Sequence, residues 1–324
     1  MTAAVVKNPG ILLLDSPLAG LDEENRKIFE DIFVRIADSG TCLVMATDSR
    51  HIPDVVTHVA ALGGNRTLTV RPVYEYKSAR ENSTPRVHVD VPGLKRLIYS
   101  APKERFDTIV QMRNVKVSYG SDVIFENICF KIRSGERWAL SGPNGSGKST
   151  LLSLIYGDHP QAYANDIVLF DRRRGSGESI WDIKSKIGFM SPELFQYFPA
   201  RFTCLQAVES GFYDTMGMVL QSRKENREKA AKWMEIMGLA DLQDRFFYEI
   251  SAGRQRMCLL ARALVKNPYL LLLDEPCQGL DFRQQNIFRR IVDIMAEISD
   301  FSLVYVTHQA EELPSCIDHS LELG

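Results

Sequence analysis

The chain has 324 residues, enough for one large domain or two modest ones, and 45% of them are hydrophobic, which suffices for a globular core. Its 39 basic and 41 acidic side chains give a formal net charge of −2, which argues against broad electrostatic binding to nucleic acid. No apolar run reaches the roughly 20 residues that cross a bilayer, and the first ten residues lack the pattern of a signal peptide. A membrane role would therefore require a partner protein.

Six cysteines are spread along the chain without a CxxC pair or the spacing of zinc ligands. This pattern predicts thiols in a reducing compartment, and therefore a cytoplasmic protein. Five histidines are equally scattered and are predicted to be surface or core residues: His51, His58, His88, His159 and His319.

The amino-terminal part of the chain repeats a pattern that returns 259 residues later. The matching segments are 4–9 (AVVKNP) with 263–268 (ALVKNP), 11–22 (ILLLDSPLAGLD) with 270–281 (LLLLDEPCQGLD), and 42–48 (CLVMATD) with 302–308 (SLVYVTH), the last with a shift of one residue. Between the second and third segments, both copies carry apolar residues at helical spacing, which predicts an amphipathic helix in each.

The repeat predicts one and a half copies of one unit. Residues 1–70 are predicted to be the carboxyl-terminal remnant of a first, degenerate copy, truncated within that copy, and residues 109–324 to be a complete second copy. Residues 71–108 are predicted to be a linker, because strand-like stretches at 67–74 and 87–91 are mixed there with prolines and many charges.

A phosphate-binding loop is predicted at 142–150. Its sequence, GPNGSGKST, follows the strand-like 137–141 and precedes the helical 151–157, which is the context that G-x-x-x-x-G-K-[ST] requires. The glycines let backbone N–H groups point at phosphate oxygens, and the helix N-terminus adds partial positive charge. We expect Lys148 to pair with the β- and γ-phosphates and Ser149 to ligate Mg²⁺. The predicted nucleotide-binding residues of the loop are Gly142, Pro143, Asn144, Gly145, Ser146, Gly147, Lys148, Ser149 and Thr150.

A helix is predicted at 222–239, opened by a capping box of Ser222 and Glu225 and closed at Gly238. The residues predicted to lie on its apolar side are Ala230, Trp233, Met234 and Met237. The favoured interpretation is a helix that covers its own subdomain, and the alternative is a contact helix for a transmembrane partner.

Two apolar strands end in polar residues near the carboxyl terminus. The segment 270–276 (LLLLDEP) is typical of a buried parallel strand that brings carboxylates to its carboxyl end. Asp274 is predicted to bind in the Mg²⁺ shell, and Glu275 to orient and polarise the attacking water, which phosphoryl transfer needs more than a strong base. His308, at the end of the next strand, is predicted to donate a hydrogen bond to the γ-phosphate.

Residues 250–256 (ISAGRQR), with the following ARALVKNP and the acidic strand end, resemble the signature region of ATP-binding-cassette (ABC) proteins. The resemblance covers 109–324 with every principal motif in order, and 3–70 with only the back half. It implies an α/β fold of the P-loop NTPase class: a RecA-like core with a parallel sheet, plus a helical subdomain at about 194–247. It also implies that ATP is sandwiched between two cassettes, the phosphate loop of one facing the signature of the other.

The resemblance also implies roles for single residues. Tyr119, in VSYG, matches the aromatic residue that stacks on adenine. Ser251 and Gly253 match the signature positions that touch the γ-phosphate held by the opposing cassette, and Asp281 matches the D-loop. The magnesium, catalytic and switch positions fall on Asp274, Glu275 and His308.

Some positions depart from the family pattern. Pro192 stands where the Q-loop glutamine is expected, and the neighbouring Glu193 is the nearest substitute, with a different charge. Coupling of Mg²⁺ to the helical subdomain is therefore in question. In the signature, Ala252 replaces a glycine and Arg254 replaces a glutamine.

The first copy departs further. Ser16 occupies the place of the catalytic glutamate, and Asp48 occupies that of the switch histidine, where its negative charge would oppose a γ-phosphate. We therefore expect a structural remnant or a degenerate partner. Tandem copies without membrane segments resemble soluble double-cassette ATPases. The residue sequences of both repeats are similar to those of the ModF-like (molybdate-type or photorepair) group.

Three functions fit the sequence. The first is an ATPase that uses cassette dimerisation, with a second copy or a missing first cassette, to power or regulate a partner process, including transport through a separate membrane subunit. The second is a nucleotide sensor with little turnover, favoured by the Q-loop departure. The third is a ribosome- or nucleic-acid-associated cassette protein, which the proline-broken linker disfavours.

Overall fold

A computed structural model describes residues 9–18, 21, 23–47, 52–62, 67–81, 89–98, 104–215 and 222–323. The chain divides into two compact units, Met1–Val87 (unit 1) and His88–Gly324 (unit 2), and each is described by itself. Across the described residues, no helix is long and apolar enough to cross a membrane. All six cysteines lie within these residues and none of them forms a disulfide, as the sequence predicted.

Unit 1 contains a strand–helix–strand segment formed by β1 (Ile11–Asp15), α1 (Glu23–Asp38) and β2 (Cys42–Ala46). The two strands pair in parallel along their full length. On α1, Phe33 is fully buried and makes an edge contact with Phe29 one turn earlier. The amphipathic helix predicted for the first copy is therefore confirmed.

An antiparallel hairpin of β3 (His58–Leu62) and β4 (Leu68–Pro72) follows, and α2 (Val73–Glu81) continues directly from β4. β4 confirms the strand predicted there. The predicted linker, 71–108, is thus not irregular throughout, because it contains α2 and a further helix, α3 (Val91–Ile98). The structure assigns α2 to unit 1 and α3 to unit 2.

Unit 2 is built on two sheets. The described strands of unit 2 are β5 (Thr108–Tyr119), β6 (Asp122–Arg133), β7 (Arg137–Ser141), β8 (Asp166–Leu169), β9 (Arg172–Arg173), β10 (Ile187–Met190), β11 (Leu270–Asp274), β12 (Ser302–Val306) and β13 (His319–Glu322). One sheet is parallel, with strand order β10–β11–β12–β7–β13, and the other is antiparallel, with order β6–β5–β8–β9. The carboxyl ends of β7, β11 and β12 lie side by side at one edge of the parallel sheet.

The helices of unit 2 cover the parallel sheet and form a helical subdomain. After α3, they are α4 (Lys148–Tyr156), α5 (Ile180–Lys184), α6 (Cys204–Glu209), α7 (Lys224–Ile236), α8 (Ala252–Leu264) and α9 (Phe282–Ile298). Every residue of β11 is buried, and Leu270 and Leu272 share one apolar cluster with Leu151 and Ile155 of α4. This packing fixes α4, and with it the loop that precedes α4, against the sheet.

The helical subdomain contains α6 and α7, which pack against each other and against α8. The apolar side predicted for α7 is confirmed, since Ala230, Trp233, Met234 and Met237 are buried. The predicted capping box is wrong: α7 begins at Lys224 after Arg223, without a side-chain cap. Ser222 instead donates its hydroxyl hydrogen to Glu209 Oε1 at 2.5 Å, because the buried Glu209 carboxylate on α6 requires a donor.

Candidate functional site

The predicted phosphate loop joins β7 to α4. Three of its glycines have left-handed backbone, with φ of 143° at Gly142, 85° at Gly145 and 91° at Gly147. A Cβ on Gly142 would lie 2.2 Å from the Leu323 carbonyl oxygen, and one on Gly147 would lie 2.7 Å from Phe125 Cδ1. The loop path therefore depends on glycine at these positions, both for its dihedral angles and for space.

Lys148, at the start of α4, is buried beneath this loop. Its Nζ donates hydrogen bonds to the carbonyl oxygens of Gly142 at 2.8 Å and Pro143 at 2.7 Å. Ser146 Oγ is also buried, and no hydrogen-bond partner for it lies among the described residues. A buried cation and an orphaned hydroxyl on a loop before a helix N-terminus fit an anionic group such as a phosphate.

Ser149 and Asp274 bring two oxygen ligands together across the ends of α4 and β11. Ser149 Oγ donates to Asp274 Oδ2 at 2.7 Å. Burial raises the pKa of Asp274, the Ser149 hydrogen bond opposes this shift, and the nearby charge of Glu275 adds to it. A hydroxyl and a carboxylate are ligands that Mg²⁺ prefers, and Mg²⁺ usually keeps further positions for water and substrate phosphates.

The described residues around Ser149 and Asp274 supply only part of a metal coordination shell. Within the parts of the chain that the structure describes, no group of three or more His, Cys, Asp or Glu side chains is placed to hold a metal ion. The Ser149–Asp274 pair therefore fits a cation that arrives with a nucleotide rather than a resident metal centre.

Glu275 directly follows β11 with an unusual backbone. Its φ is 45°, and its N–H donates to the Val306 carbonyl oxygen at the end of β12 at 3.0 Å. His308 Nε2 lies 3.2 Å from Glu275 Oε1 without meeting hydrogen-bond geometry. The side chain of His308 is only 9% exposed, so a buried nitrogen and a carboxylate face each other at the sheet edge.

A second cluster joins the start of α8, which carries Gly253, to the segment before α9, which carries Asp281. Ser251 precedes α8 in extended conformation and makes no side-chain capping bond. A Cβ on Gly253 would lie 2.9 Å from Gln284 Oε1 and 3.1 Å from the Gly279 carbonyl oxygen, so a side chain at this position would require one of them to shift. Asp281 caps α9 by accepting from the Gln284 N–H at 2.8 Å, and Gln284 Oε1 accepts from the Asp281 N–H at 3.0 Å.

One residue that the sequence did not single out connects the two clusters. Arg256, on α8, donates from Nη1 to the Glu275 carbonyl oxygen at 2.7 Å. Its position five residues after Ser251 was visible in ISAGRQR, but its partner is 19 residues further along the chain. The left-handed backbone at Glu275 is therefore held from both β12 and the signature helix.

Tyr119 lies at the end of β5 with its ring 55% exposed, as a stacking platform requires. Its hydroxyl is 2.9 Å from His159 Nε2. The sequence prediction that His159 is a surface or core residue missed this contact, because a histidine before a proline has no signature that indicates it.

The Q-loop departure alters the same site. Pro192 starts a 3₁₀ turn, Pro192–Tyr197, immediately after β10. Glu193 lines one cleft together with Ser149, Asp274 and Glu275. Glu193 therefore adds a carboxylate to a cleft that also carries Asp158, Asp214, Asp274 and Glu275.

In unit 1, Ser16 lies at the position that corresponds to Glu275. Its φ is 48°, and its N–H donates to the Ala46 carbonyl oxygen at 2.8 Å. The backbone of the site is thus repeated in unit 1, while its carboxylate is not. Asp48, predicted at the switch position, lies outside the described residues.

A protein-family model described as 'ABC transporter' matches residues 125–278. This range contains the predicted phosphate loop, the predicted signature and the acidic strand end. The uncharacterized ABC transporter ATP-binding protein YlmA of Bacillus subtilis is 32% identical over 66% of this chain and 81% of its own length. The chain belongs to the ABC family. The ABC transporter ATP-binding protein ModF of Escherichia coli is 35% identical over 98% of this chain, and the chain spans 66% of ModF.

The fold of the ABC cassette is also found in solved structures. The dimeric structure of MJ0796, a bacterial ABC transporter cassette, is 23% identical, covers 66% of this chain and 94% of its own, and has a TM-score of 0.57. This confirms the predicted α/β, P-loop NTPase fold for the part of the chain that it covers.

Proposed function

We propose that unit 2 binds Mg²⁺–ATP and hydrolyses it, and that ATP-driven pairing of two cassettes powers or regulates a partner process. The observation that carries the proposal is the meeting of the Ser149–Asp274 pair with Glu275 and His308 at one sheet edge. These side chains come from α4, β11 and the end of β12, so the fold converges them from distant parts of the sequence. Free thiols support a cytoplasmic location.

Each of these residues has a distinct role in the proposed reaction. The phosphate loop and Lys148 bind the β- and γ-phosphates, and Ser149 and Asp274 hold the cation. Bound Mg²⁺ would supply neutralisation of the phosphate charge. Glu275 orients the attacking water by accepting a hydrogen bond from it. His308 donates a hydrogen bond to the γ-phosphate as negative charge develops there.

A complete site is proposed to need a second cassette. Ser251 and Gly253 lie at the start of α8, where Gly253 approaches Gly279 and Gln284, and we assign both to the γ-phosphate bound by the opposing cassette. The dimeric state of the MJ0796 structure supports this arrangement. The second cassette is another copy of this chain or the first cassette of a longer tandem protein, and a separate membrane subunit is one candidate for the partner.

The test is ATP turnover with Mg²⁺ by the purified chain beside Lys148→Ala and Glu275→Gln. We expect Lys148→Ala to lose ATP binding, and Glu275→Gln to keep binding but lose turnover roughly 100- to 1000-fold. Light scattering of Glu275→Gln with ATP should report a dimer. Turnover per molecule should rise with protein concentration. A total ATP turnover that stays proportional to protein concentration into the nanomolar range would contradict pairing between chains.

Glu193 favours a second candidate, a nucleotide sensor with little turnover. A carboxylate beside Asp274 and Glu275 adds negative charge where the family pattern has a neutral amide, and extra charge near the attacking water changes its environment. Tight ATP binding without turnover in the wild-type chain, and turnover gained in Glu193→Gln, would support this candidate over the first.

A further inference from the structure

Tyr119 is a half-exposed aromatic residue whose orientation is nevertheless fixed. Its Oη lies 2.9 Å from His159 Nε2, and the two rings meet edge to face, with centroids 5.9 Å apart and planes at 65°. At 55% exposure, the packing around Tyr119 covers only part of the side chain. The contact with His159 supplies a further restraint on its orientation.

The surroundings of His159 determine which nitrogen carries its hydrogen. His159 is 6% exposed and precedes the 3₁₀ turn Pro160–Ala164, where its Nδ1 accepts a hydrogen bond from the Gln161 N–H at 3.2 Å. Since Nδ1 is an acceptor, Nε2 carries the hydrogen and donates to Tyr119 Oη. Burial lowers the pKa of His159, which favours the neutral ring that can accept and donate at once.

The same segment also fixes the backbone beside Tyr119. Gln161 Nε2 donates to the Ser118 carbonyl oxygen at 2.7 Å, and Gln161 Oε1 accepts from the Ser118 N–H at 3.3 Å. Asn165 makes the equivalent pair with Lys116, donating to its carbonyl oxygen at 3.0 Å and accepting from its N–H at 2.8 Å. Side-chain amides thus continue the hydrogen bonding of β5 up to the tyrosine.

This segment follows α4 without interruption. Gly157 ends α4 in left-handed conformation with φ of 90°, and His159 comes two residues later. Lys148 and Ser149 open the same helix. One helix and its following turn therefore set both the phosphate-binding end and the angle of the Tyr119 ring.

The geometry points to His159 as a positioning residue for nucleotide binding, which holds the Tyr119 ring in the orientation on which the base stacks. The inference rests on the proposed function, since it requires ATP at the phosphate loop. Ordering a side chain before the ligand arrives removes that cost from binding, which corresponds to about a three- to tenfold gain in affinity. The effect belongs to the base and not to the phosphates.

The experiment measures the Kd of ATP and of inorganic triphosphate for the wild-type chain, four test variants and one control variant. The test variants are His159→Ala, Tyr119→Phe, their combination, and Tyr119→Ala. We expect His159→Ala and Tyr119→Phe each to weaken ATP binding about three- to tenfold. The double variant should bind ATP no more weakly than either single variant, because both substitutions remove the same hydrogen bond. Triphosphate affinity should not change, because it has no base.

Two features of the design separate positioning from a loss of fold. Tyr119→Phe leaves the bond between His159 and Gln161 intact, so it tests the contact even if His159→Ala disturbs the turn. His319→Ala is the matched control, because His319 also packs on an aromatic ring, with its ring centroid 4.8 Å from that of Trp138. The hydrogen-bond partner of His319 is Asp318, not Tyr119. Its ATP affinity should equal that of the wild type.

Each other outcome has one meaning. Unchanged ATP affinity in His159→Ala and Tyr119→Phe, with a loss in Tyr119→Ala, would overturn the role of His159 and leave the base platform standing. Equal losses for ATP and triphosphate in both variants would make His159 a residue of the fold, and would also overturn it. Failure of the wild-type chain to bind ATP would instead refute the proposed function.

Discussion

Ser16 in unit 1 and Glu275 in unit 2 follow corresponding strands and have nearly the same backbone. Their φ angles are 48° and 45°, and each N–H donates to the last residue of the neighbouring strand, at 2.8 Å and 3.0 Å. The strained turn therefore does not depend on a carboxylate. The comparison shows that the repeat preserves the backbone turn of the candidate site at a position where the carboxylate is absent.

Burial differs more than backbone between the two copies. Leu13 in β1 is 73% exposed, while the corresponding Leu272 in β11 is fully buried. β11 lies between β10 and β12 with α4 on its face, whereas β1 pairs with β2 in a sheet of two described strands. The same run of leucines is thus a core strand in one unit and a partly exposed strand in the other.

The largest expected effect comes from exchanging the residues after the strands. Glu275→Ser should lower ATP turnover roughly 100- to 1000-fold while ATP affinity stays within about threefold, because the hydroxyl does not orient water as a carboxylate does. The reciprocal Ser16→Glu should add no turnover to this chain, since residues 1–87 contain no G-x-x-x-x-G-K-[ST] motif. Steady-state ATP turnover and equilibrium ATP binding are measured for both variants. Full ATPase activity in Glu275→Ser would contradict the proposed functional difference between Ser16 and Glu275.

A stability difference of intermediate size is expected for the paired leucines. Leu272→Ala should lower the free energy of unfolding of unit 2 by about 2–5 kcal/mol, because it leaves a cavity in the core. Leu13→Ala should change unit 1 by less than about 0.5 kcal/mol, as expected at an exposed position. Urea unfolding by tryptophan fluorescence reports on unit 2, which holds all three tryptophans, and hydrogen exchange reports on unit 1. Equal losses in the two units would contradict the difference in burial.

The smallest effect concerns the aspartates that end the two strands. Because burial raises the pKa of Asp274, the folded state binds more protons than the unfolded state between the ordinary and the raised value, so stability falls as pH rises through that window. Asp274→Asn should therefore raise the melting temperature near neutral pH by a few degrees or less, while it weakens Mg²⁺-dependent ATP binding.

The exposed Asp15 in unit 1 provides the control. Asp15 accepts only the neighbouring Ser16 hydroxyl at 3.2 Å among its described hydrogen bonds, and Asp15→Asn should leave the melting temperature unchanged at both pH 5 and pH 7.5. A lower melting temperature in Asp274→Asn at neutral pH would show that the Asp274 charge stabilises the fold instead of serving the site.

Much of the site was predictable from sequence because its motifs are local. The phosphate loop is recognised from glycines and a lysine within nine residues. The sequence LLLLD predicts a buried strand with a carboxylate at its end. The helix α7 was predicted with its buried face but with the wrong cap, since Ser222 bonds a carboxylate on α6 that no local pattern specifies. The helices within the predicted linker were also missed, because prolines and charges there masked short helical segments.

The sequence by itself determined the candidate site residues, the repeat and the replacement of a carboxylate by Ser16, because these follow from residue type and from spacing along the chain. Only the tertiary structure decided that His159 restrains Tyr119, that Arg256 holds the Glu275 carbonyl, and that Leu272 is buried while Leu13 is exposed. Contacts of this kind join residues 19 to 40 positions apart, and burial depends on which strands and helices cover a position. Neither is encoded in the local pattern of the chain, since both arise when the sheet and its covering helices assemble.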